Sequence, residues 1–536
     1  MGRVTAVATP EGRAAPGPDR PMASPGRTLP PAVFGATDRA FGWTVTLILT
    51  AVAAATRFFT LGYPSNAGFL GTQAVQTPVF DEKHYAPQGW QVLTGGQWIE
   101  DNPGFGLIVH PPVGKWMIAV GEWLFGYTPL GWRFMSAVCG TLLVFLVIRA
   151  ARRLSRSTLI GGLAGLFLIC DGLTMVSSRV ALLDIFLVFF GFAAFSMILV
   201  DRDQMRRRLH TAAIEGRIHD SVYGPRFGFR WWRFSAALMV GLACGVKWSG
   251  IYFLIGILVL SLAFDVANRR EYDVQRPWLG VLRRDLVPSG MSLAVLPVLV
   301  YLGTFWPWFA SETSVYRYAV GNQVTEGGTF GWVPAALRSL IFYEQSILDF
   351  HDGLTNSAGN HHPWESKPWT WPMGLRPMLY HYTADQSGGM CGDGPCVRAV
   401  MAVGTPALTW IAVPVVLWAL WKVFVKRDWA YAAPVTMYFV TFLPWFVALD
   451  RQMYYFYALT LMPFLCIMIA LICREVMGLD GRARYFGFER LQLGRWLVVL
   501  YTSLVVLNFA WLWPILTAAP IPMWWWRLEL WLPSWQ

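Results

Sequence analysis

The chain has 536 residues, 55% apolar and only 14% charged, with a mean hydropathy of +0.42 and a formal net charge of +11. A soluble globular chain carries about 25% charged residues, so much of the expected water-facing charge is missing. That composition excludes a soluble enzyme, a disordered scaffold and a collagen-like chain. With 29 Trp to anchor at two membrane–water interfaces, it describes an all-α polytopic integral membrane protein.

Residues 1–40 are rich in Pro, Gly, Ala and Arg. They cannot bury a core and are expected to form a disordered cytoplasmic tail. They lack a cleavable signal layout, so the first span is expected to act as an uncleaved anchor. Eleven spans are predicted, at approximately 41–61, 133–148, 157–175, 181–200, 234–247, 250–267, 287–306, 402–422, 430–448, 455–473 and 496–516. Of the 43 Lys and Arg, 30 fall in the tail and in 149–156, 201–233, 268–285, 422–428 and 474–495. All six segments lie on one face if every span crosses. The positive-inside rule then puts the N-terminus in the cytoplasm and the C-terminus outside. The basic excess reads as topology and attraction to anionic lipid, not nucleic-acid binding.

Two outer loops are large, 62–132 and 307–401, and chemistry is expected where they meet the spans. The first holds Val79-Phe80-Asp81-Glu82-Lys83-His84-Tyr85, two adjacent carboxylates close to the membrane surface. They are either a solvated acidic pair or a general base beside a membrane-borne substrate, with a pKa raised by the apolar surroundings and the second carboxylate. His110-Pro111-Pro112-Val113-Gly114-Lys115-Trp116 follows, leading into an amphipathic interfacial stretch to Phe125. Lys115 can snorkel to headgroups or meet a phosphate. Arg133 opens the second span as a lipid anchor or as a ligand for a lipid-linked phosphate.

Asp171, Arg179 and Asp184 flank an outer turn and suit a structural ion pair. Lys247, in CGVKWSG, marks a turn between two spans. Five cysteines (139, 170, 244, 466 and 473) lie in or beside spans as packing residues. Cys391 and Cys396, in CGDGPC, are placed for a disulfide in an oxidising compartment. The less favoured alternative is a zinc site completed from His361, His362 and His381. The loop 356–376 mixes Asn356, His361, His362, Trp364, Glu365 and Trp369, either an acceptor surface or tryptophans at the interface. Asp450-Arg451-Gln452-Met453-Tyr454-Tyr455-Phe456-Tyr457 places another cation among aromatics at an outer span end.

Together these segments resemble a family. R-F-F-T-L-G-Y-P, V-F-D-E-K-H-Y, H-P-P-V-G-K-W, G-V-K-W-S-G and R-Q-M-Y-Y-F-Y-A-L-T-L-M-P look like the protein O-mannosyltransferases. H-H-P-W-E-S-K-P-W-T-W-P and L-R-P look like the bacterial, actinobacterial (mycobacterial-like) branch. The matches run in order from residue 57 to 463. The resemblance implies a GT-C-type membrane glycosyltransferase, with 41–536 as one catalytic domain. Eukaryotic members carry a β-trefoil MIR domain in the second large loop, and 307–401 is too short for one.

The implied reaction moves one mannose, with inversion, from polyprenyl-phosphate mannose to a Ser or Thr hydroxyl of an unfolded exported protein. Asp81 would take the hydroxyl proton, and Glu82 would orient the acceptor or hold Asp81. Arg133 and Arg451, then Lys115 and His110, would stabilise the leaving phosphate. His361, His362, Trp364 and Glu365 would serve the acceptor. The reading needs no cofactor and no metal. It places the enzyme in the plasma membrane with its active site outside, among membrane lipids and with the secretion translocon as a further candidate partner. A GT-C-type transferase with a lipid or glycan acceptor stays open as the alternative.

Overall fold

The computed structural model describes residues 38–536 apart from 71–72, 100–107, 328–329, 360, 386–390, 392–394 and 480–489. The expected tail lies almost wholly outside the described residues. From the first described residues the chain runs as helix α1 (Arg39–Phe58), hairpin β1 (Asn66–Leu70) and β2 (Gln73–Thr77), α2 (Glu82–Thr94), α3 (Val113–Phe125), α4 (Pro129–Ser155), α5 (Thr158–Ile169), α6 (Gly172–Ser177), α7 (Asp184–Ile214), α8 (Trp231–Val246) and α9 (Gly250–Glu271). Then come α10 (Pro277–Thr304), α11 (Ala335–Gly353), β3 (Met378–Asp385), β4 (Cys396–Ala402), α12 (Pro406–Phe424), α13 (Trp429–Phe442), α14 (Met462–Val476), α15 (Arg490–Thr517) and β5 (Ile521–Pro522).

Each predicted span overlaps a helix. Among the described residues, seven helices (α1, α4, α7, α9, α10, α12 and α15) are long and apolar enough to cross a membrane, so this is a mostly helical multi-pass membrane protein with seven candidate spans. The other four predicted spans fall on α5, α8, α13 and α14, which have 12, 16, 14 and 15 residues. α7, at 31 residues, is about 46 Å long and exceeds the ~30 Å hydrocarbon layer. Its apolar window is 78% buried, against 17% in α10, so α7 is central and α10 peripheral. α7 packs on α4, α8 and α9, and α14 fills the space beside α5 and α13.

Asp184 opens α7 and Arg202–Arg208 lie near its far end; Gly250 opens α9 and Arg269 and Arg270 close it. The ends that carry Asp184 and Gly250 therefore lie opposite the ends that carry the basic segments. α10 is distorted by two π turns, Val281–Asp285 and Met291–Val295. Pro288 and Pro297 each follow a π turn and lack the N–H that residue 284 or 293 would accept in a regular helix, so the chain widens to re-pair its carbonyls.

The all-α expectation needs correction. β1 and β2 pair antiparallel, and β3–β4–β5 form a second small antiparallel sheet, with Met378 opposite Ala402 and Asp385 opposite Cys396. The β3 segment MLYHYTAD supplies aromatic and β-branched residues that favour strand, and β4 is buried on nearly every residue. Cys391 and Cys396 are joined by a disulfide at the end of this ladder, as the sequence suggested.

Candidate active site

Asp81 sits at the start of α2 because the preceding residue forces a sharp turn. Phe80 takes a φ of +50°, a left-handed conformation uncommon for a bulky side chain. Such strain costs about 1–3 kcal/mol and persists only where the surroundings over-determine it. Here Phe80 stacks on Tyr380 of β3, centroids 4.4 Å apart and rings within 9° of parallel. The turn is closed by Glu82 N–H donating to Val79 O (3.2 Å) and Lys83 N–H to Phe80 O (3.2 Å).

The two adjacent carboxylates then face different worlds. Glu82 is fully buried. It accepts from Arg133 Nε and Nη2 (2.7 Å each), from Ala181 N (2.9 Å) and from Val79 N (3.1 Å). Arg133 Nη1 donates to Leu61 O at 3.2 Å. Arg133, 1% exposed, is thus held on every nitrogen by the protein, in the bidentate geometry that ties the α2 start to α4. Asp81 is half-buried; its backbone carbonyl accepts from His84 N (3.0 Å), but its carboxylate makes no hydrogen bond or ion pair among the described residues. Burial raises its carboxyl above the ordinary value, against the pull of His84, Lys83, Lys247 and His362.

The Glu82–Arg133 contact makes a prediction of its own. Glu82→Gln or Arg133→Ala strands a buried charge, a loss of about 3–5 kcal/mol. The expected readout is a lower thermal unfolding midpoint of the purified protein in detergent, with donor and acceptor kinetics affected alike. A change confined to donor KM at unaltered stability would contradict it.

A cavity of about 300 Å³ lies within electrostatic reach of Asp81: Asp81 does not line it, but Lys247, whose charge acts on the Asp81 carboxyl, does. The cavity wall includes His110, Asp184 at the start of α7, Lys247 and Trp248 between α8 and α9, His351 on α11, and Arg451. The G-V-K-W-S-G turn places Lys247. The helix stops at Val246, Lys247 is extended (φ −149°, ψ 145°), and α9 restarts at Gly250. A Cβ on Gly250 would lie 2.5 Å from Cys244 N, so only glycine lets the chain turn back so closely. Lys247 is buried, and its Nζ meets Asp184 at 2.8 Å.

Arg451 is positioned by backbone pairing with the second large loop. Thr355 and Arg451 form an antiparallel bridge, Gln452 N–H donates to Leu354 O (2.9 Å) and Ser366 N–H to Met453 O (2.8 Å). Arg451 Nη2 donates to His351 Nδ1 at 3.0 Å, and His351 Nε2 lies 3.1 Å from Val109 O. Those partners fix the tautomer: Nδ1 accepts, so Nε2 carries the proton and donates to Val109. Burial and the Arg451 charge push the His351 pKa down to about 4. His110 is driven well below its ordinary value by burial, then by Lys247, His351, Lys115 and Arg451. Two neutral imidazoles therefore stand beside two cations. Arg451 Nε is buried without a partner, leaving one strong donor unused.

The remaining sequence-derived residues fall around this centre unevenly. Lys115 is fully buried on α3 and is not among the residues that line the cavity. His362 Nδ1 accepts from Trp364 N (3.1 Å), and the His362 ring meets Tyr454 edge-on. The Arg376 guanidinium lies over the Trp364 ring at 5.2 Å. Glu365 is bonded by Lys367 (2.6 Å) and Asn356 (2.8 Å), whereas His361 is exposed. Lys367 also donates to Leu449 O and Arg451 O, so this loop and the Arg451 segment move as one piece.

The ion pair expected around Arg179 is different too. Arg179 donates to the carbonyls of Arg57, Phe59 and Thr60 at the end of α1, Asp171 caps α6 through Thr174, and Asp184 takes Lys247. Two cavity residues stand outside the site expected from the sequence: Lys247, read there as a turn between two spans, and His351, which sequence reasoning passed over. A charge interrupting an apolar stretch was the available signal for Lys247; nothing local marked His351.

Residues 47–311 match the family model described as dolichyl-phosphate-mannose-protein mannosyltransferase. A polyprenol-phosphate-mannose–protein mannosyltransferase of Mycolicibacterium smegmatis is 54% identical, the alignment covering 97% of this chain and 98% of the relative. One of Corynebacterium glutamicum is 43% identical over 95% of this chain and 96% of the relative. Among solved structures, a chain of the S. cerevisiae protein O-mannosyltransferase Pmt1–Pmt2 complex superposes with a TM-score of 0.69 at 13% identity, covering 92% of this chain and 93% of that one. That likeness extends to the fold alone. Near-complete coverage at more than half identity decides the family: the chain belongs to the polyprenol-phosphate-mannose–protein mannosyltransferases.

Proposed function

We propose that the cavity holds the sugar-phosphate end of polyprenyl-phosphate mannose and that Asp81 is the base for its transfer to a protein. The protein is an O-mannosyltransferase that uses this donor; the residue roles are our reading. In it, the Ser or Thr oxygen attacks the anomeric carbon as its proton passes to Asp81. The bond from that carbon to the phosphate oxygen breaks on the opposite side, so configuration inverts. Negative charge grows on the departing polyprenyl phosphate, where Lys247 and the unused Nε of Arg451 are placed to stabilise it. Neutral His110 can hydrogen-bond without adding charge, and neutral His351, bonded on both ring nitrogens, holds Arg451 in place.

The observation that carries this reading is a half-buried carboxylate with no side-chain partner among the described residues, within electrostatic reach of Lys247 on the wall of a cavity that Arg451 also lines. It also revises the expected roles. Glu82 and Arg133 act as positioning residues, because each is saturated by the protein. Acceptor contacts are assigned to His362 and Trp364, with Glu365 holding that loop through Lys367. An eleven-span GT-C-type architecture belongs to the same reading, α5, α8, α13 and α14 being the shorter crossings. So does a plasma-membrane location with the site on the outer face and exported, unfolded proteins as acceptors.

The test is transfer from radiolabelled polyprenyl-phosphate mannose to a Ser/Thr- and Pro-rich peptide by the purified protein. Label is expected on the peptide hydroxyls in α linkage. Trp364→Ala is expected to raise peptide KM several-fold while leaving donor KM unchanged. Label accumulating in lipid or glycan and never in peptide would favour the alternative acceptor class.

A further inference from the structure

At the other end of α8 a second pocket opens, about 590 Å³ in volume, between the start of that helix and α10. Its lining has two characters. One end carries four guanidinium groups, Arg230, which is spent on buried carboxylates, and three with capacity to spare, Arg226, Arg233 and Arg284, beside a single carboxylate, Asp285. Asp285 is already bonded by Arg269 Nε (3.2 Å) and Nη2 (2.8 Å). The nearby Asp201 and Asp265 are likewise taken by Arg230. Arg226 makes no hydrogen bond or ion pair among the described residues. Arg284 reaches only the hydroxyl of Ser221 (3.0 Å).

Arg233 is the most telling of the three. It is 3% exposed, its Nη1 donates to Ser289 Oγ at 2.8 Å, and its Nε is buried with no partner. The other wall is apolar and open: Phe229, Met291, Val295 and Leu299 are 57%, 58%, 42% and 58% exposed. Both π turns of α10 contribute residues to this lining.

A cationic end with unused donors, continuous with an exposed apolar groove along a candidate span, matches the two halves of one molecule. We infer that this pocket binds an anionic phospholipid, its phosphate on Arg226, Arg233 and Arg284 and an acyl chain along Met291, Val295 and Leu299. An uncharged headgroup would leave the surplus guanidinium charge uncompensated, and free phosphate would leave the apolar wall unfilled. The 16 residues of α8 separate this pocket from Lys247 by about 24 Å, so the lipid belongs to the leaflet opposite the catalytic cavity.

The experiment is native mass spectrometry and thermal unfolding of the full-length protein in neutral detergent. It is titrated with phosphatidylglycerol, with phosphatidylcholine of the same chains, or with inorganic phosphate. Wild type is expected to retain phosphatidylglycerol at least tenfold better than phosphatidylcholine and to unfold at a higher temperature in its presence. Arg233→Gln should abolish the preference; because that residue is buried, Arg226→Gln/Arg284→Gln, at more exposed positions, provides a folded second case and should do the same. Equal retention of both lipids, a preference unchanged in the double variant, or equal stabilisation by inorganic phosphate would each overturn the assignment.

Discussion

Asp81→Asn is expected to lower single-turnover mannosyl transfer by about 10²–10⁴-fold, the usual contribution of a positioned general base, with donor binding unchanged. The side chain keeps its size and accepts no proton. Because the Asp81 carboxylate makes no hydrogen bond or ion pair among the described residues, its replacement strands no buried partner, and the unfolding midpoint should hold. The pH profile adds an independent reading. Burial lifts the Asp81 carboxyl above its ordinary value, so the wild-type rate should fall on the acid side at a pH above the usual carboxylate range. His351 and His110 are held neutral and add no limb near neutrality. In Asp81→Asn that acid limb should vanish along with most of the rate. An active, stable Asp81→Asn protein, or an acid limb that survives it, would remove Asp81 as the base and turn attention to Asp184.

How far the sequence speaks for this site depends on whether a residue's partner is local. Asp81 was legible because its whole setting is a short run at a span end, and the structure adds only the strained Phe80 that presents it. The role of Glu82 was not legible. Its partner Arg133 lies 51 positions away and Ala181 lies 99 away, and no pattern along the chain foretells which carboxylate of an adjacent pair turns inward. Lys247 was visible as a charge between two apolar stretches, yet a simple turn accounts for the same residues. Only the approach of Asp184 across the bundle shows that the turn also carries a buried pair. His351 lies on an amphipathic helix without a motif. The spans follow the same logic. Long apolar windows such as α4, α7 and α9 declare themselves, whereas α5 and α14 owe their burial to neighbours. The strands β3 and β4 sit in a segment read as loop, where aromatic and β-branched content was the unused signal.

The last expected result separates the two cations of the cavity, Arg451 and Lys247, from each other. Arg451→Ala is expected to raise donor KM by about 10–100-fold, the loss of one charge-assisted bond to the phosphate, while peptide KM stays put. Arg451→Lys should recover only part, since an ammonium donates from a single nitrogen and lacks the separate, fixed Nη2 and Nε directions that serve His351 Nδ1 and the phosphate. Lys247 is harder to read by single substitution. Lys247→Gln leaves Asp184 unpaired and nearly buried, and such a break costs about 3–5 kcal/mol in stability. The double variant Lys247→Gln/Asp184→Asn removes both charges and restores a neutral pair of similar size. It should recover the unfolding temperature of wild type without recovering donor affinity. If donor affinity returned together with stability, Lys247 would be a structural partner of Asp184 and nothing more. If neither returned, the pair would be required for the turn itself, and Arg451 would be left as the one cation assigned to the phosphate.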